Sequence, residues 1–224
     1  VNVDRLLELC TVEFSGEQTE DVVCFGNRKI AIARDEAFNF MYRENVEALK
    51  RAGEVVFFSP LRDKSLPEAD MVYFPGGYPE LHLAELAANE GMRQSVRKYC
   101  ENGGRVLAEC GGMMYLCDTI TDGDGKVYPM AGVLKQGATM EQMKLKLGYR
   151  EVRVNGQRIR GHEFHYSRIL PTNEKIPVIG TIYNAKDMVV DTPVYTYKNV
   201  LASYIHFYWG ECGIDHFLML MSQK

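Results

Sequence analysis

Short apolar runs alternate with helical patterns through the first half of the chain. Strands are predicted at four apolar runs: Lys29–Asp35, Glu54–Pro60, Asp70–Gly77 and Arg105–Cys110. Between them, Phe40–Gly53 has apolar residues at helical spacing before a glycine, and residues 79–104 predict one or two helices. Strands that alternate with helices predict a parallel sheet covered on both faces.

The second half of the chain has a different pattern. Residues 127–205 are rich in β-branched and aromatic residues and contain few long helical patterns. Asn155-Gly156 stands between two alternating segments, which is a strong signal for a β-hairpin. Three further strands and a closing helix are predicted at residues 177–183, 193–199, 200–208 and 213–224. We therefore expect one α/β domain, in which antiparallel strands extend a parallel sheet.

Composition narrows the class of protein. The chain has 224 residues and a formal net charge of −4, which gives no sign of a nucleic-acid partner. No apolar run approaches the roughly 20 residues that cross a bilayer, and residues 1–10 lack the features of a signal peptide. The six cysteines form no C-x-x-C pair, which argues against a zinc ribbon. We expect a cytoplasmic protein with reduced thiols and no membrane partner.

The candidate chemistry begins at Cys110, where a predicted strand ends and Gly111 and Gly112 follow. A thiol at the start of a helix is expected to have its reactive thiolate stabilised by the helix dipole and free backbone N–H groups. The glycines permit a tight turn and close approach of a substrate. This pattern is that of a nucleophile turn with Cys in place of Ser, although a buried thiol beside a turn explains the stretch equally well.

A second glycine turn follows another predicted strand, in the stretch Phe74–Glu80. It lies at the carboxyl end of a parallel strand, where open α/β sheets bind ligands. Backbone N–H groups at Gly76 and Gly77 could stabilise an oxyanion, but an ordinary strand–helix turn accounts for the stretch as well. The sequence contains no G-x-x-x-x-G-K-[ST] motif, so it has no phosphate-binding loop of that type.

A reactive cysteine usually needs an imidazole as its general base. His206 ends an apolar strand and would face Cys110 if the two strands are neighbours. His162 and His165 flank Glu163, but on a strand they would point to opposite faces, so no metal site is predicted. Four other residues are predicted to lie on the surface or in the packed core: His82, His216, Cys100 and Cys117.

Four separated motifs occur in the order FPGGYPEL, RVLAECGGMMYL, GHEFHYSRI and ASYIHFYWGE. Together they resemble the glutamine amidotransferase domain of the cobyrinate a,c-diamide synthase family, over about residues 28–222. The resemblance implies a class I glutamine amidotransferase-like (flavodoxin-like) α/β fold, with a parallel core and an antiparallel extension. It divides the chain into a leader, residues 1–27, and the amidotransferase domain, residues 28–224. The leader is similar to the tail of an ATP-binding synthetase domain that is otherwise missing.

The resemblance also implies roles for particular residues. Cys110 would attack the side-chain amide of L-glutamine, and His206 would act as the base. Backbone N–H groups of Gly77 and Gly111 would form the oxyanion hole. Three further residues would lie near the glutamine site or a domain interface: Gly76, Glu163 and His165, with His165 pointing inward. No metal or cofactor is expected in this chain, and MgATP would bind the missing synthetase domain.

The same resemblance implies partners outside this chain. Ammonia would pass to the protein's own N-terminal synthetase domain, where MgATP activates the a and c carboxylates of a corrinoid macrocycle. It leaves open a homodimer, the ammonia route and the macrocycle, since hydrogenobyrinate, nickel-sirohydrochlorin and cobyric acid enzymes are similar. A non-catalytic module of this fold and a cysteine peptidase are the competing hypotheses.

One position departs from most related amidotransferases, which have a carboxylate two residues after the histidine. Here that position is Tyr208, and the next carboxylate, Glu211, has a different spacing. A third group normally holds the tautomer of such a histidine. The sequence therefore predicts a Cys–His dyad oriented by some other group, and slow glutaminase activity for the domain alone.

Overall fold

The structure, a computed structural model, describes residues 2–10, 28–172 and 175–210. Within these ranges the helices are α1 (Val3–Cys10), α2 (Arg43–Ala52), α3 (Leu83–Ala88), α4 (Glu90–Glu101) and α5 (Gly111–Leu116), with a 3-10 turn at Pro79–Leu81. The strands are β1 (Arg28–Ala33), β2 (Gly53–Phe58), β3 (Met71–Phe74), β4 (Arg105–Glu109), β5 (Cys117–Thr121), β6 (Val127–Pro129), β7 (Leu134–Thr139), β8 (Lys146–Val154), β9 (Gln157–His165), β10 (Arg168–Ile169), β11 (Thr181–Asn184), β12 (Val194–Tyr197), β13 (Val200–Ser203) and β14 (Ile205–Phe207).

The central sheet has six strands in the order β12-β13-β4-β3-β1-β2. β13, β4, β3, β1 and β2 pair in parallel, and β12 is antiparallel at the edge. The predicted parallel core with an antiparallel extension is therefore confirmed. Because parallel strands end at one edge, the segments that follow β3, β4 and β13 lie close together.

The other antiparallel strands form two separate four-stranded sheets, β10-β7-β5-β6 and β11-β8-β9-β14. The β8–β9 hairpin turns at Asn155 and Gly156, both with positive φ, as the sequence predicts. We expected all the antiparallel strands to extend one sheet. That expectation is wrong, because β12 joins the central sheet and the others do not. The predicted strand 200–208 bends at Tyr204, so β13 joins the central sheet and β14 pairs with β9 instead.

Both faces of the central sheet are covered by packed side chains. On α4 the buried residues Met92, Val96 and Cys100 repeat every four positions, which is the spacing of one helix face. Cys100 and Cys117 are fully buried, as expected for core thiols, and His82 is partly exposed. No helix in the described ranges is long and apolar enough to cross a membrane.

Some predictions concern parts of the chain at its two ends. At the N-terminal end, Val3–Cys10 form the short helix α1. The rest of the leader, residues 11–27, and the predicted closing helix, residues 213–224, lie outside the described residues. The same applies to Glu211 and His216. The division into a leader and an amidotransferase domain stays a prediction.

Candidate active site

Cys110 lies on the turn between β4 and α5. Its backbone has φ 45° and ψ −105°, a conformation that residues with a side chain rarely adopt. Such strain costs about 1–3 kcal/mol and persists where surrounding structure imposes it. The Cys110 N–H donates to the Ser203 carbonyl (2.7 Å), and its carbonyl accepts from the Met114 N–H (3.0 Å). These bonds hold the side chain on a sharp strand-to-helix turn of the predicted kind.

The predicted oxyanion-hole glycines are neighbours. A Cβ added at Gly111 would lie 2.9 Å from the Gly77 carbonyl oxygen and 3.1 Å from its nitrogen. Gly112 has another role than expected. A Cβ there would overlap the backbone of Phe74 at the end of β3, so this glycine lets α5 pack closely on the sheet.

His206 lies on β14 and is 4% exposed. Its ring stacks on His162 with centroids 4.8 Å apart, and Phe40 packs edge-on at 4.6 Å. Gly76 lies against the ring edge, where an added Cβ would overlap Cε1 and lie 2.8 Å from Nδ1. Within the described residues, Nδ1 has no hydrogen-bond partner. Packing therefore holds this imidazole, and no described carboxylate bonds to it.

Tyr208, which replaces the expected carboxylate, reaches His206 through two other rings. Tyr208 packs edge-on against Tyr42 at 5.5 Å, and the Tyr42 hydroxyl lies 2.6 Å from Nδ1 of His162. His162 then stacks on His206. Sequence reasoning missed Phe40, Tyr42 and this contact of His162. The motif GHEFHYS pointed to His162, but nothing local marks Phe40 or Tyr42, because their partners are more than 100 residues away.

One cavity of about 280 Å³ brings four of the predicted residues together: Cys110, His206, Gly77 and His165. Its lining includes Cys110, His206, Gly77, Glu80, His162 and His165. A larger cavity of about 780 Å³ adjoins it and shares His165, but neither Cys110 nor His206 lines that space. Because a nucleophile and an imidazole line the smaller cavity, it is the candidate active site.

His165 points into both cavities and is held by a buried polar cluster. Its Nε2 lies 2.8 Å from Oε1 of Glu163, and its Nδ1 lies 2.7 Å from the Ser167 carbonyl oxygen. Arg150 and Thr192 also donate to Glu163. Burial raises the pKa of Glu163, but these bonds outweigh it and lower the pKa to about 2. Glu163 therefore fixes His165 and is not itself in the Cys110 cavity.

The protonation states of the candidate dyad correct one expectation. Burial raises the pKa of Cys110 to about 12, Glu80 adds to the shift, and the hydrogen bond from Gly111 opposes it. The expected stabilisation of the thiolate by the helix start is therefore wrong for this state, because desolvation outweighs it. Burial lowers the pKa of His206 to about 3, with His162 and His165 adding to the shift.

The resting pair is thus a neutral thiol and a neutral imidazole. The thiol proton has an acceptor in the Phe164 carbonyl, 3.8 Å from Sγ. No group of three or more His, Cys, Asp or Glu side chains in the described parts of the chain is arranged to hold a metal ion. The chemistry available here is nucleophilic attack by sulfur, with proton transfer through His206.

Comparisons with known proteins identify the family. The protein-family model for the CobB/CobQ-like glutamine amidotransferase domain matches residues 29–212 of this chain. This chain belongs to that family. The cobyrinate a,c-diamide synthase of Salmonella typhimurium is 35% identical over 94% of this chain and 49% of the relative. The hydrogenobyrinate a,c-diamide synthase of Pseudomonas aeruginosa is 40% identical over 80% of this chain and 41% of the relative.

This chain spans about half the length of the curated relatives it matches. Solved structures agree on the fold. A crystal structure of a glutamine amidotransferase has a TM-score of 0.58 at 24% identity, and covers 87% of this chain and 99% of its own. The PurLQS structure from Thermotoga maritima has a TM-score of 0.55 at 17% identity, covering 88% and 92%. The class I amidotransferase fold is confirmed.

Proposed function

We propose that this domain hydrolyses L-glutamine at Cys110 and supplies the ammonia to a synthetase that amidates a corrinoid. The observation that carries the proposal is the strained Cys110 turn, which shares one cavity with His206 and lies beside Gly77 and Gly111. A packed structural thiol has no need of a left-handed backbone, whereas a nucleophile presented to a substrate does.

The reaction begins when Sγ of Cys110 bonds to the amide carbon of glutamine and its proton passes to His206. Backbone N–H groups of Gly77 and Gly111 stabilise the oxyanion. The C–N bond then breaks, and ammonia leaves with the proton from His206. Water next adds to the thioester while His206 takes its proton. The C–S bond breaks, glutamate leaves, and Sγ regains that proton.

The resting protonation states favour low activity in the isolated domain. With the thiol pKa near 12 and the imidazole pKa near 3, the reactive ion pair is a minor species. The thiol also has the Phe164 carbonyl as an acceptor. A change that moves β9 away from Cys110 would release the thiol towards His206. This geometry supports the proposal that glutaminase activity is slow in the domain alone.

The synthetase partner is supported by an exposed apolar face beside the cavity. On the β8–β9 hairpin, Leu147 pairs with Phe164, and paired residues share a face. Leu147 is 62% exposed and Tyr149 75% exposed, and Phe164 and Tyr166 also line the cavity of Cys110. Exposed apolar patches of this kind mark interaction sites. Because the relatives are about twice as long, we assign this face to the remaining half of the protein.

The relatives' names support the proposed substrate class. Relatives named for cobyrinate and for hydrogenobyrinate match at similar identity, 35–42% among the first four. We therefore propose MgATP-dependent amidation of the a and c carboxylates of a corrinoid, with MgATP bound by the other half of the protein. The sequence of this chain has no G-x-x-x-x-G-K-[ST] motif of its own.

The test is whether this chain turns glutamine into glutamate and ammonia at Cys110. We expect measurable ammonia release, and covalent labelling of Cys110 by 6-diazo-5-oxo-L-norleucine, both abolished by Cys110→Ser. Labelling is the decisive measurement because it does not depend on the partner half. Cys117→Ser, a buried thiol outside the cavity, is the matched control and should keep both activities. If the chain shows neither ammonia release nor labelling, the proposed function is wrong.

A further inference from the structure

Glu109, the residue before Cys110, is a buried carboxyl group that the glutaminase mechanism does not use. Its side chain is 1% exposed and points away from the cavity into the opposite core. The Tyr73 hydroxyl donates to its Oε2 at 2.8 Å, and the Phe207 backbone N–H donates to its Oε1 at 3.2 Å. No described lysine, arginine or histidine forms an ion pair with it. A buried carboxyl without a cation is energetically unfavourable, so its presence calls for a reason.

The Phe207 N–H is one residue from the candidate base His206. The same residue is held on its other side, since the Asn45 side chain donates to the Phe207 carbonyl at 2.7 Å. Asn45 also accepts a bond from the Trp209 N–H at 2.9 Å. Side chains from β4 and α2 therefore fix the backbone of the segment that follows His206. The His206 ring, by contrast, has only packing contacts among the described residues.

We propose that Glu109 is a positioning residue that sets the distance between Cys110 and His206. It is joined to Cys110 by one peptide bond, and its carboxyl group is bonded to the residue next to His206. β13 pairs with β4 but ends at Ser203, and β14 then leaves the central sheet to pair with β9. Beyond the end of β13, the bond from Phe207 to Glu109 ties the His206 segment back to the nucleophile strand.

Glu109 also supplies a group that Tyr208 does not. The family resemblance predicts a carboxylate two residues after the histidine, where this chain has Tyr208. Here a carboxyl group from the nucleophile's own strand acts on the backbone beside the histidine, and the Tyr73 hydroxyl holds that carboxyl in place. A misplacement of about 1 Å between reacting groups lowers a rate by about 100-fold. The positioning role predicts a loss in the chemical step and little change in glutamine binding.

The test compares Glu109→Ala, Glu109→Gln and Leu107→Ala in this chain. Leu107 lies two residues earlier on β4 in the same core, so its truncation destabilises the fold without removing the Phe207 bond. Inactivation by 6-diazo-5-oxo-L-norleucine gives the maximal rate and the half-saturating concentration separately, per folded molecule. For Glu109→Ala we expect the maximal rate to fall about 100-fold, with the half-saturating concentration within about threefold.

The second part of the test uses the conservative variant Glu109→Gln. In Glu109→Gln, the amide oxygen can accept from Phe207 and the amide nitrogen can donate to the Tyr73 oxygen. We expect it to keep the wild-type rate within about threefold. If Glu109→Ala is no slower than Leu107→Ala, or Glu109→Gln is as slow as Glu109→Ala, the positioning role is wrong. The inference rests on the proposed function: an unlabelled wild-type chain overturns both, whereas a labelled one with unaffected variants overturns the inference alone.

Discussion

Cys110 lines the candidate active-site cavity. The Phe164 carbonyl lies near its sulfur, and Glu80 lines the same cavity. Neither neighbour stabilises a negative charge on sulfur, and burial adds to their effect. The backbone geometry of the residue is that of a nucleophile, whereas its resting protonation state is that of a core thiol. Binding of glutamine, or of the partner half, would have to change that environment before attack.

The first prediction concerns the reactivity of Cys110 towards iodoacetamide in the absence of glutamine. Because its pKa is raised to about 12, the alkylation rate should keep rising about tenfold per pH unit between pH 7 and pH 9.5. An ordinary thiol with a pKa of about 8.5 would level off within this range. Peptide mass spectrometry measures the rate at each pH, and Cys110→Ser identifies the peptide. A plateau reached anywhere below pH 9.5 would contradict the raised pKa.

The second prediction concerns Gly76→Ala. The added methyl group would overlap the His206 ring, so the imidazole must move away from its present place. Such a displacement should lower the maximal rate of labelling by 6-diazo-5-oxo-L-norleucine by about 100-fold. Gly123→Ala is the matched control, because an added Cβ there meets nothing within 4 Å. Equal rates for the two variants would show that the position of the ring is unimportant.

For single residues, the sequence predicted which ones form the candidate site but gave little information about their surroundings. Cys110, His206, Gly77 and Gly111 were predicted from local motifs, and the structure brings them to one site. The direction of the Cys110 pKa shift was predicted wrongly. It depends on burial, and one contact of the sulfur is the carbonyl of Phe164 on β9, which is distant in sequence and leaves no mark on the residues around Cys110.

Among the elements, β4 and β14 are joined through Glu109 and Phe207 across two different sheets. Burial raises the pKa of Glu109 from 4.5 to about 8, while its bonds to Tyr73 and Phe207 oppose the shift. The folded protein therefore keeps a proton that the unfolded chain releases between these pH values. The contribution of Glu109 to stability must therefore fall as pH rises from about 4.5 to about 8.

The third prediction follows from this linkage. Glu109→Gln removes the titration, so its free energy of unfolding relative to wild type should increase as pH rises across that window. The slope should reach up to about 1.4 kcal/mol per pH unit. Urea unfolding at pH 5, 6, 7 and 8 measures it. The exposed Glu85→Gln variant should show a constant difference from wild type, and a constant difference for Glu109→Gln would refute the linkage.

The elements themselves were predicted to different extents. β1 to β4, α2 and α4 follow from local apolar patterns, because each buries one face or both within a single run of sequence. The assignment of β13 and β14 to different sheets could not be predicted. Strand pairing is a long-range property, and the bend at Tyr204 interrupts a run of residues that reads as one strand.

For the molecule as a whole, the fourth prediction concerns the exposed face of the β8–β9 hairpin. Leu147→Lys should change the stability of this domain by less than about 0.5 kcal/mol, because the side chain is 62% exposed. In a protein that carries both halves, it should lower glutamine-dependent amide formation and leave ammonia-dependent formation intact. Val127→Lys, at an exposed position on another sheet, is the control. An equal loss with ammonia would place the defect elsewhere.

The strained turn at Cys110 has a final consequence, for the relation between activity and stability. At most sites alanine is more favourable than glycine, because glycine loses more backbone freedom on folding. At φ 45° the order should reverse, so Cys110→Gly should unfold at a higher temperature than Cys110→Ala. Calorimetry of the two inactive variants checks it, and the usual order would contradict it. The backbone at this position thus favours glycine, so retention of a cysteine there is what selection for the reaction predicts.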